Sequence, residues 1–513
     1  MKRLALMAGA SPGRRSALLG AACLLALLAL PAVASADSLD AAQGKGLAPD
    51  VPINTLWVVV TAVLVLFMQA GFALLEIGFS RGKNVGTGIA KILVNLSIAA
   101  MCYYAVGFAF AFGTGSSEGD LIGTTGWFLQ GYGDPQQAFF PNGLGLSNAT
   151  IESKWLFQFA FCAVSLAIVW GTTLERIKFS AYVIYAVVFS AVIYPIGSHW
   201  VFGGGWLQSN LGMQDFAGST AVHLIGATGA LAALLLLGPR KGKYGPDGKP
   251  RAIPGHSMPL AGLGVIILFI GWFGFNPGST LNATDGRFAE VALVTLLGAA
   301  GGVIGAFAAT VVKQRTIDIG MVSNGMIAGL VAITAPSGYV EAPFAPIIGL
   351  VAGLLVVFAI IGIDRLVDDP VGALSAHGLA GIWGTLSCGL FTAPRLASYN
   401  AFGDPGLVYN GSFHQLGVQA LGALVVFAFV LLTSGIAFFL IKVTVGLRVS
   451  EEQEDAGLDI VEHGMYGYPE QFIPESEIGA GSFGPAAPAF TPSGAVAPAS
   501  TGASAMTATE ARA

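Results

Sequence analysis

The sequence predicts an all-α polytopic membrane protein of eleven transmembrane helices, arranged as two five-helix inverted repeats plus a final long helix. Three observations carry this expectation. Hydrophobic residues make up 54% of the chain and charged residues 10%, against roughly 25% charged in ordinary soluble domains. So few charges cannot cover 513 residues with a water-compatible surface, and lipid is the natural solvent. Eleven apolar segments are long enough to cross a bilayer as helices. One polar pattern, D-x-x-G-x-x-x-x-H, also recurs five segments apart.

The chain begins with Lys2, Arg3, Arg14 and Arg15, followed by an apolar stretch from Ala17 to Leu30, Pro31 and the small residues Ala32 to Ala36. This order reads as a signal peptide over residues 1–36, cut after Ala36. A retained short helix is the alternative, although the run is shorter than the roughly 20 residues a span needs. A membrane domain over 50–448 follows, with apolar segments centred near Leu66, Ala99, Val164, Val188, Ala230, Ile267, Gly301, Ala328, Leu355, Trp383 and Phe427. The 71 glycines suit close helix–helix approach.

Charge in the connections sets the orientation. Alternate connections carry Arg81 and Lys83, then Arg176 and Lys178, then Arg240, Lys241, Lys243, Lys249 and Arg251, then Lys313 and Arg315, then Arg365, with Arg448 after the last segment. The others carry Lys45, Lys154, Arg287 and Arg395. The first set is expected in the cytoplasm, which puts the mature N-terminus outside and the C-terminus inside. The stretch Gly238 to His256, basic and rich in Gly and Pro, looks like a hinge between halves. A charged tail over 449–474 is expected to be cytoplasmic and regulatory, and 475–513, rich in Ala, Pro, Gly, Ser and Thr, to be disordered.

The net charge of −5 and the lack of a basic stripe speak against nucleic-acid binding. Cys102, Cys162 and Cys388 lie in apolar runs without metal-ligand spacing and read as small buried hydrophobes; Cys23 lies in the leader. No metal or cofactor is expected.

Of the six histidines, His223 and His377 fall inside apolar segments. A lone intramembrane histidine is often a packing residue, but polar groups in lipid are expensive and mark pathways. Here Asp215-Phe-Ala-Gly218-Ser-Thr-Ala-Val-His223 matches Asp369-Pro-Val-Gly372-Ala-Leu-Ser-Ala-His377. The motifs occupy the fifth and tenth segments, so their helices run in opposite directions. Inverted repeats of this kind place a site near the bilayer midplane. Two neutral imidazoles there can share a hydrogen bond, relay protons or accept from a small donor. Asp215 and Asp369 open their helices, where a carboxylate caps exposed amides; a contribution of Asp215 to stabilising a cation is the alternative.

Several further motifs carry a resemblance. They are Phe67 to Glu76 with Arg81-Gly-Lys-Asn84, Phe157-Gln-Phe-Ala-Phe161, Gly171-Thr-Thr-Leu-Glu-Arg176, Gly271-Trp-Phe-Gly-Phe-Asn-Pro-Gly-Ser279, His377-Gly378, Gly446 to Glu452, and Gly457 to Gly464. In this order they resemble the ammonium transporter family (Amt/Mep/Rh), in its bacterial Amt-type form, from about Asn54 to Tyr468. The resemblance implies a homotrimer with one pore per subunit, twin pore histidines at His223 and His377, a phenyl gate of Phe161 and Phe275, and an outer ammonium site at Phe161, Phe202 and Ser279. Phe202 stands where the family usually has tryptophan, although Trp200 lies two residues earlier. A PII-class cytoplasmic signal protein is an implied partner. The expected function is ammonium transport across the cell membrane by deprotonation and passage of ammonia, with or without a coupled proton. A Rh-like neutral gas channel and an ammonium sensor acting through a cytoplasmic partner are the alternatives. No nucleophile-and-base set accompanies the histidines, so an enzyme is not expected.

Overall fold

Apolar runs of this length must satisfy their own backbone hydrogen bonds when withdrawn from water, and they do so here as helices. The computed structural model describes residues 49–113, 119–130 and 149–472. The leader expected over 1–36, the segment 475–513 and Cys23 lie outside the described residues. In chain order the long helices are α1 (Val51–Phe79), α2 (Gly82–Phe112), α3 (Ile151–Thr172), α4 (Phe179–Ser209), α5 (Ser219–Leu237), α6 (Met258–Gly278), α7 (Arg287–Gln314), α8 (Ile319–Thr334), α9 (Ala342–Ile363), α10 (Leu374–Leu379 continuing as Ala380–Phe391) and α11 (His414–Thr444). Among the described residues, nine of these are long and apolar enough to cross a membrane. α8 is an apolar helix of 16 residues, and α10 joins a six-residue π-turn to 12 α-helical residues. Helices therefore stand at each expected segment, while those at Ala328 and Trp383 are not among the nine that are both long and apolar enough to cross.

Local signals set several boundaries. Ser257 and Asp318 cap α6 and α8 by accepting from Leu260 N and Met321 N. α1 packs along α6 and α3, while α7, α8 and α9 form a tight trio. Small residues allow that closeness: a Cβ on Gly349 would stand 2.0 Å from Gly298 O, and one on Gly302 would stand 2.3 Å from Gly325 O. Cys102, Cys162 and Cys388 are buried, as expected.

The basic end of the molecule is held by buried ions. Arg176, fully buried, donates to Thr172 O, Leu174 O, Gly238 O and Asp368 O, so it closes the C-terminal ends of α3 and α5 together. Arg240 makes a two-pronged pair with Asp368 and lies 3.7 Å from Glu175. Glu175 in turn accepts from Arg81 N and Nε. The 238–256 stretch, expected as a hinge, is thus pinned by Arg240 to the connection between α9 and α10.

The charged tail is ordered as α12 (Glu451–Ala456) and α13 (Leu458–His463), the first opened by a capping box at Ser450. Asp459 accepts from Gly86 N and Thr87 N at 2.9 and 2.8 Å, and so satisfies amides at the start of α2. Lys83 Nζ donates to Glu454 O and Asp455 O, and Arg448 pairs with Glu454 at 2.6 Å. The compact unit ends at Tyr468; Pro469–Phe472 is a single helical turn in a separate short unit.

Candidate functional site

The two D-x-x-G-x-x-x-x-H motifs fold alike. Gly218 and Gly372 turn the chain at φ +116° and +75°, a region that side chains disfavour. Each turn brings the following amides back onto the aspartate. Asp215 accepts from Gly218 N, Ser219 N, Thr220 N and Ala221 N at 2.7–3.0 Å. Asp369 accepts from Gly372 N and Leu374 N. Capping, one of the two roles weighed for these carboxylates, is therefore the geometry seen. Both helices then start in π geometry, Ser219–Leu224 and Leu374–Leu379, and each π-turn carries its histidine. Such turns are rare and concentrate at functional sites.

The histidines meet. His377 Nδ1 lies 3.2 Å from His223 Nδ1, with ring planes 21° apart. One ring must donate and the other accept across that contact. His223 is fully buried and His377 nearly so. The Nε2 of His223 is buried without a hydrogen-bond partner in the protein.

Phenyl rings line the approach to His223. Phe161 and Phe275 are stacked, centroids 4.0 Å apart and planes 7° apart. Phe275 is 5.4 Å from the His223 ring, and Phe202 is 6.5 Å from Phe161 on the other side. Phe202, and not Trp200, is the aromatic residue here: Phe202 is buried, whereas the Trp200 indole donates outward to Leu121 O and packs on Phe429. Ser279, buried, donates its hydroxyl to Phe275 O at 2.8 Å. Its proton is engaged, so its lone pairs are left to accept.

Two aromatic residues that sequence reasoning passed over belong to this cluster. Trp272 stacks on His223 at 5.2 Å and is held by its indole donating to Thr334 Oγ1. Phe157 packs 4.6 Å from Phe161. Both stand inside motifs already singled out, Phe157 one turn before Phe161 and Trp272 three residues before Phe275. On the far side of His377 a narrow cavity is lined by Phe72, Glu76, Asn324, Ile327 and Val371. Among the described residues no group of three or more His, Cys, Asp or Glu is placed to hold a metal ion.

A family model described as Ammonium Transporter Family matches residues 56–468. The chain is 42% identical over 475 residues to Ammonium transporter Amt2 of Archaeoglobus fulgidus, covering 90% of this chain and 98% of that protein. It is 34% identical over 444 residues to Ammonium transporter 3 of Dictyostelium discoideum, covering 85% and 98%. Among solved structures it resembles one titled Sensor Amt Protein, with TM-score 0.72, 37% identity and coverage of 80% of this chain and 98% of that one. It also resembles the crystal structure of Candida albicans Mep2, with TM-score 0.71, 28% identity and coverage of 81% and 90%.

Proposed function

We propose, on the premise that the chain belongs to the ammonium transporter family, a path for the ammonium that this multi-pass membrane protein transports. Ammonium is a compact cation with donors and no acceptor. Phe161, Phe202 and the accepting hydroxyl of Ser279 recruit it, each ring face contributing about 0.5–2 kcal/mol. Phe161 and Phe275 form a dry gate. An ion stripped of water there is penalised by several kcal/mol, so ammonium gives up a proton and continues as ammonia past His223 and His377. Sodium and potassium have no proton to shed, which is a physical source of selectivity. The observation that carries this reading is the 3.2 Å contact between the two imidazoles behind stacked phenyl rings.

The test is uptake of methylammonium into proteoliposomes. His223→Ala and His377→Ala are each expected to lower it by about tenfold or more. Equal uptake by all three proteins overturns the histidine mechanism.

We read residues 1–36 as a signal peptide, 50–448 as the membrane domain and 449–474 as a cytoplasmic regulatory tail, in the cell membrane with the basic end inside. We read the assembly as a homotrimer, checked by the mass of the detergent-solubilised particle. A second reading, a sensor that signals through a cytoplasmic partner such as a PII-class protein, is supported by the neighbour titled Sensor Amt Protein and by the docked tail. The accepting Ser279 hydroxyl favours a cation at the entrance over a neutral gas; current across reconstituted bilayers separates those two.

A further inference from the structure

The proposed path leaves one buried acid without a task. Glu76 of α1 has no exposed surface, and neither of its carboxylate oxygens has a hydrogen-bond partner in the protein. It is also not idly packed in a helix interface. It lines the same narrow cavity as His377, beside Gly171 at the end of α3, where a Cβ would stand 3.6 Å from Glu76 Oε1. The free volume of this cavity, about 20 Å³, accommodates a water-sized molecule.

The charged groups around Glu76 are few. Lys91 of α2, equally buried, is within electrostatic range, but its Nζ makes no hydrogen bond and sits 5.9 Å from the centre of the Tyr182 ring. Arg176, Glu175 and Glu462 act on Lys91 from the basic end, and the Tyr182 hydroxyl is committed to Lys91 O. A structural ion pair would close to hydrogen-bond contact, because two buried charges held apart forfeit most of their attraction while keeping the desolvation penalty. An intramembrane acid that faces a cavity, opposite a histidine, has the placement of a proton station.

We propose that Glu76 is the proton acceptor on the inner side of the histidine pair, so that the proton removed from ammonium crosses with the ammonia. This deepens the histidine reading and rests on it. An N–H bond of ammonium breaks, leaving its electron pair on nitrogen as ammonia, and the proton adds to a ring nitrogen of the pair. The pair releases a proton on the His377 side to a water molecule in the cavity, and that water passes a proton to a Glu76 oxygen, forming an O–H bond. Lys91 offsets the carboxylate charge in the resting state. At the basic end ammonia takes the proton from Glu76, regenerating ammonium and the carboxylate.

The experiment uses the full chain in proteoliposomes, with ammonium-evoked current and internal alkalinisation by ammonia read in parallel. Glu76→Gln is expected to lower the current about tenfold or more and, because ammonia then enters without its proton, to raise the internal alkalinisation above the parent's. Current equal to the parent's overturns the proposal, as does a parent that carries none. If Glu76→Gln does not give a folded particle, the same comparison is made on Glu76→Gln/Lys91→Met, which removes both buried charges. On the unsubstituted protein, infrared difference spectra on adding ammonium should show the carbonyl band of a protonated carboxylic acid, and its absence also overturns the proposal. The two readings fail separately. Unimpaired histidine variants sink the histidine path, whereas impaired histidine variants beside a fully conducting Glu76→Gln sink Glu76 alone.

Discussion

At the scale of single residues, the site depends on which atoms are left free to accept. Ser279 has committed its proton to Phe275 O, so its oxygen suits a pure donor such as ammonium. On the proposed path Phe202 meets the cation first, with a weaker π-face than tryptophan's. Phe202→Trp is therefore expected to lower the KM for methylammonium about two- to fivefold, from roughly 0.5–1 kcal/mol of added cation–π attraction; an unchanged or raised KM would show that Phe202 does not meet the cation. The histidines were legible in the sequence because the Asp, Gly and His of each motif repeat at fixed spacing in otherwise apolar segments. Glu76 was visible as the last residue of the Phe67 to Glu76 motif, but with no matching acid in the other half nothing in the sequence tied it to the histidines. Trp272 was hidden for a different reason: an aromatic residue in a membrane helix is ordinarily packing, and only its 5.2 Å stack on His223 distinguishes it.

At the scale of elements, the starts of α5 and α10 show what composition cannot encode. The apolar runs foretold two helices with histidines on them. The hydrogen-bond register that makes their first turns π, and so turns both rings toward each other, follows from Gly218, Gly372 and the amides gathered by Asp215 and Asp369. The tail is the second such case. Its charge was plain in the sequence, but docking through Asp459 onto the start of α2 needed the folded chain. Asp459→Ala is expected to release α13, at about 1–2 kcal/mol, with faster hydrogen exchange at Gly86 and Thr87 and earlier proteolysis near His463. The docking should also respond to pH. Burial pushes the His463 imidazole below its ordinary range, with Asp459 opposing and Lys91 reinforcing the shift. An undocked tail therefore takes up the proton first, so the His463 contribution is full above the ordinary imidazole value and is lost as pH falls through it. Burial pushes the neighbouring Glu462 upward, so its protonation on the docked tail acts in the opposite sense at lower pH. Exchange at Gly86 should rise between about pH 7.5 and 5.5 in the parent, and His463→Gln should remove that rise.

At the scale of the whole molecule, the basic end is tied by ions that belong to distant parts of the sequence. The positive charges were read from their loops as marks of orientation. Arg176 and Arg240 proved to be buried clasps as well, because carbonyls at the ends of α3 and α5 and the Asp368 carboxylate have no water to turn to. Sequence shows each charge but not its partner, since Arg176 and Asp368 are 192 residues apart. Arg176→Lys is expected to lower the melting temperature in detergent sharply, by roughly 3–5 kcal/mol of stability, because an ammonium cannot span the four carbonyls that the guanidinium reaches. Burial alone would raise the Asp368 carboxyl, but hydrogen bonds from Arg240 and the charges of Arg176 and Arg240 outweigh it and hold it at about 2. A carboxyl held low stabilises the fold above its ordinary value and loses that contribution as pH falls through the lowered one. The melting-temperature gap between the parent and Asp368→Asn should therefore stay constant above about pH 4 and narrow below it; a gap that closed near neutrality would contradict the buried clasp.

The ring stack at the entrance has a consequence for the cell that makes this protein. Phenyl planes whose centres are 4.0 Å apart are in van der Waals contact, and no standing aperture exists between them. On the proposed path a molecule passes only while one ring swings aside, so turnover would be metered by the frequency of that swing. On that path the two solutions never join through a continuous column of water. A cell short of nitrogen could thus crowd its envelope with copies of this chain and still hold its ion gradients, since each copy is a turnstile and not a leak.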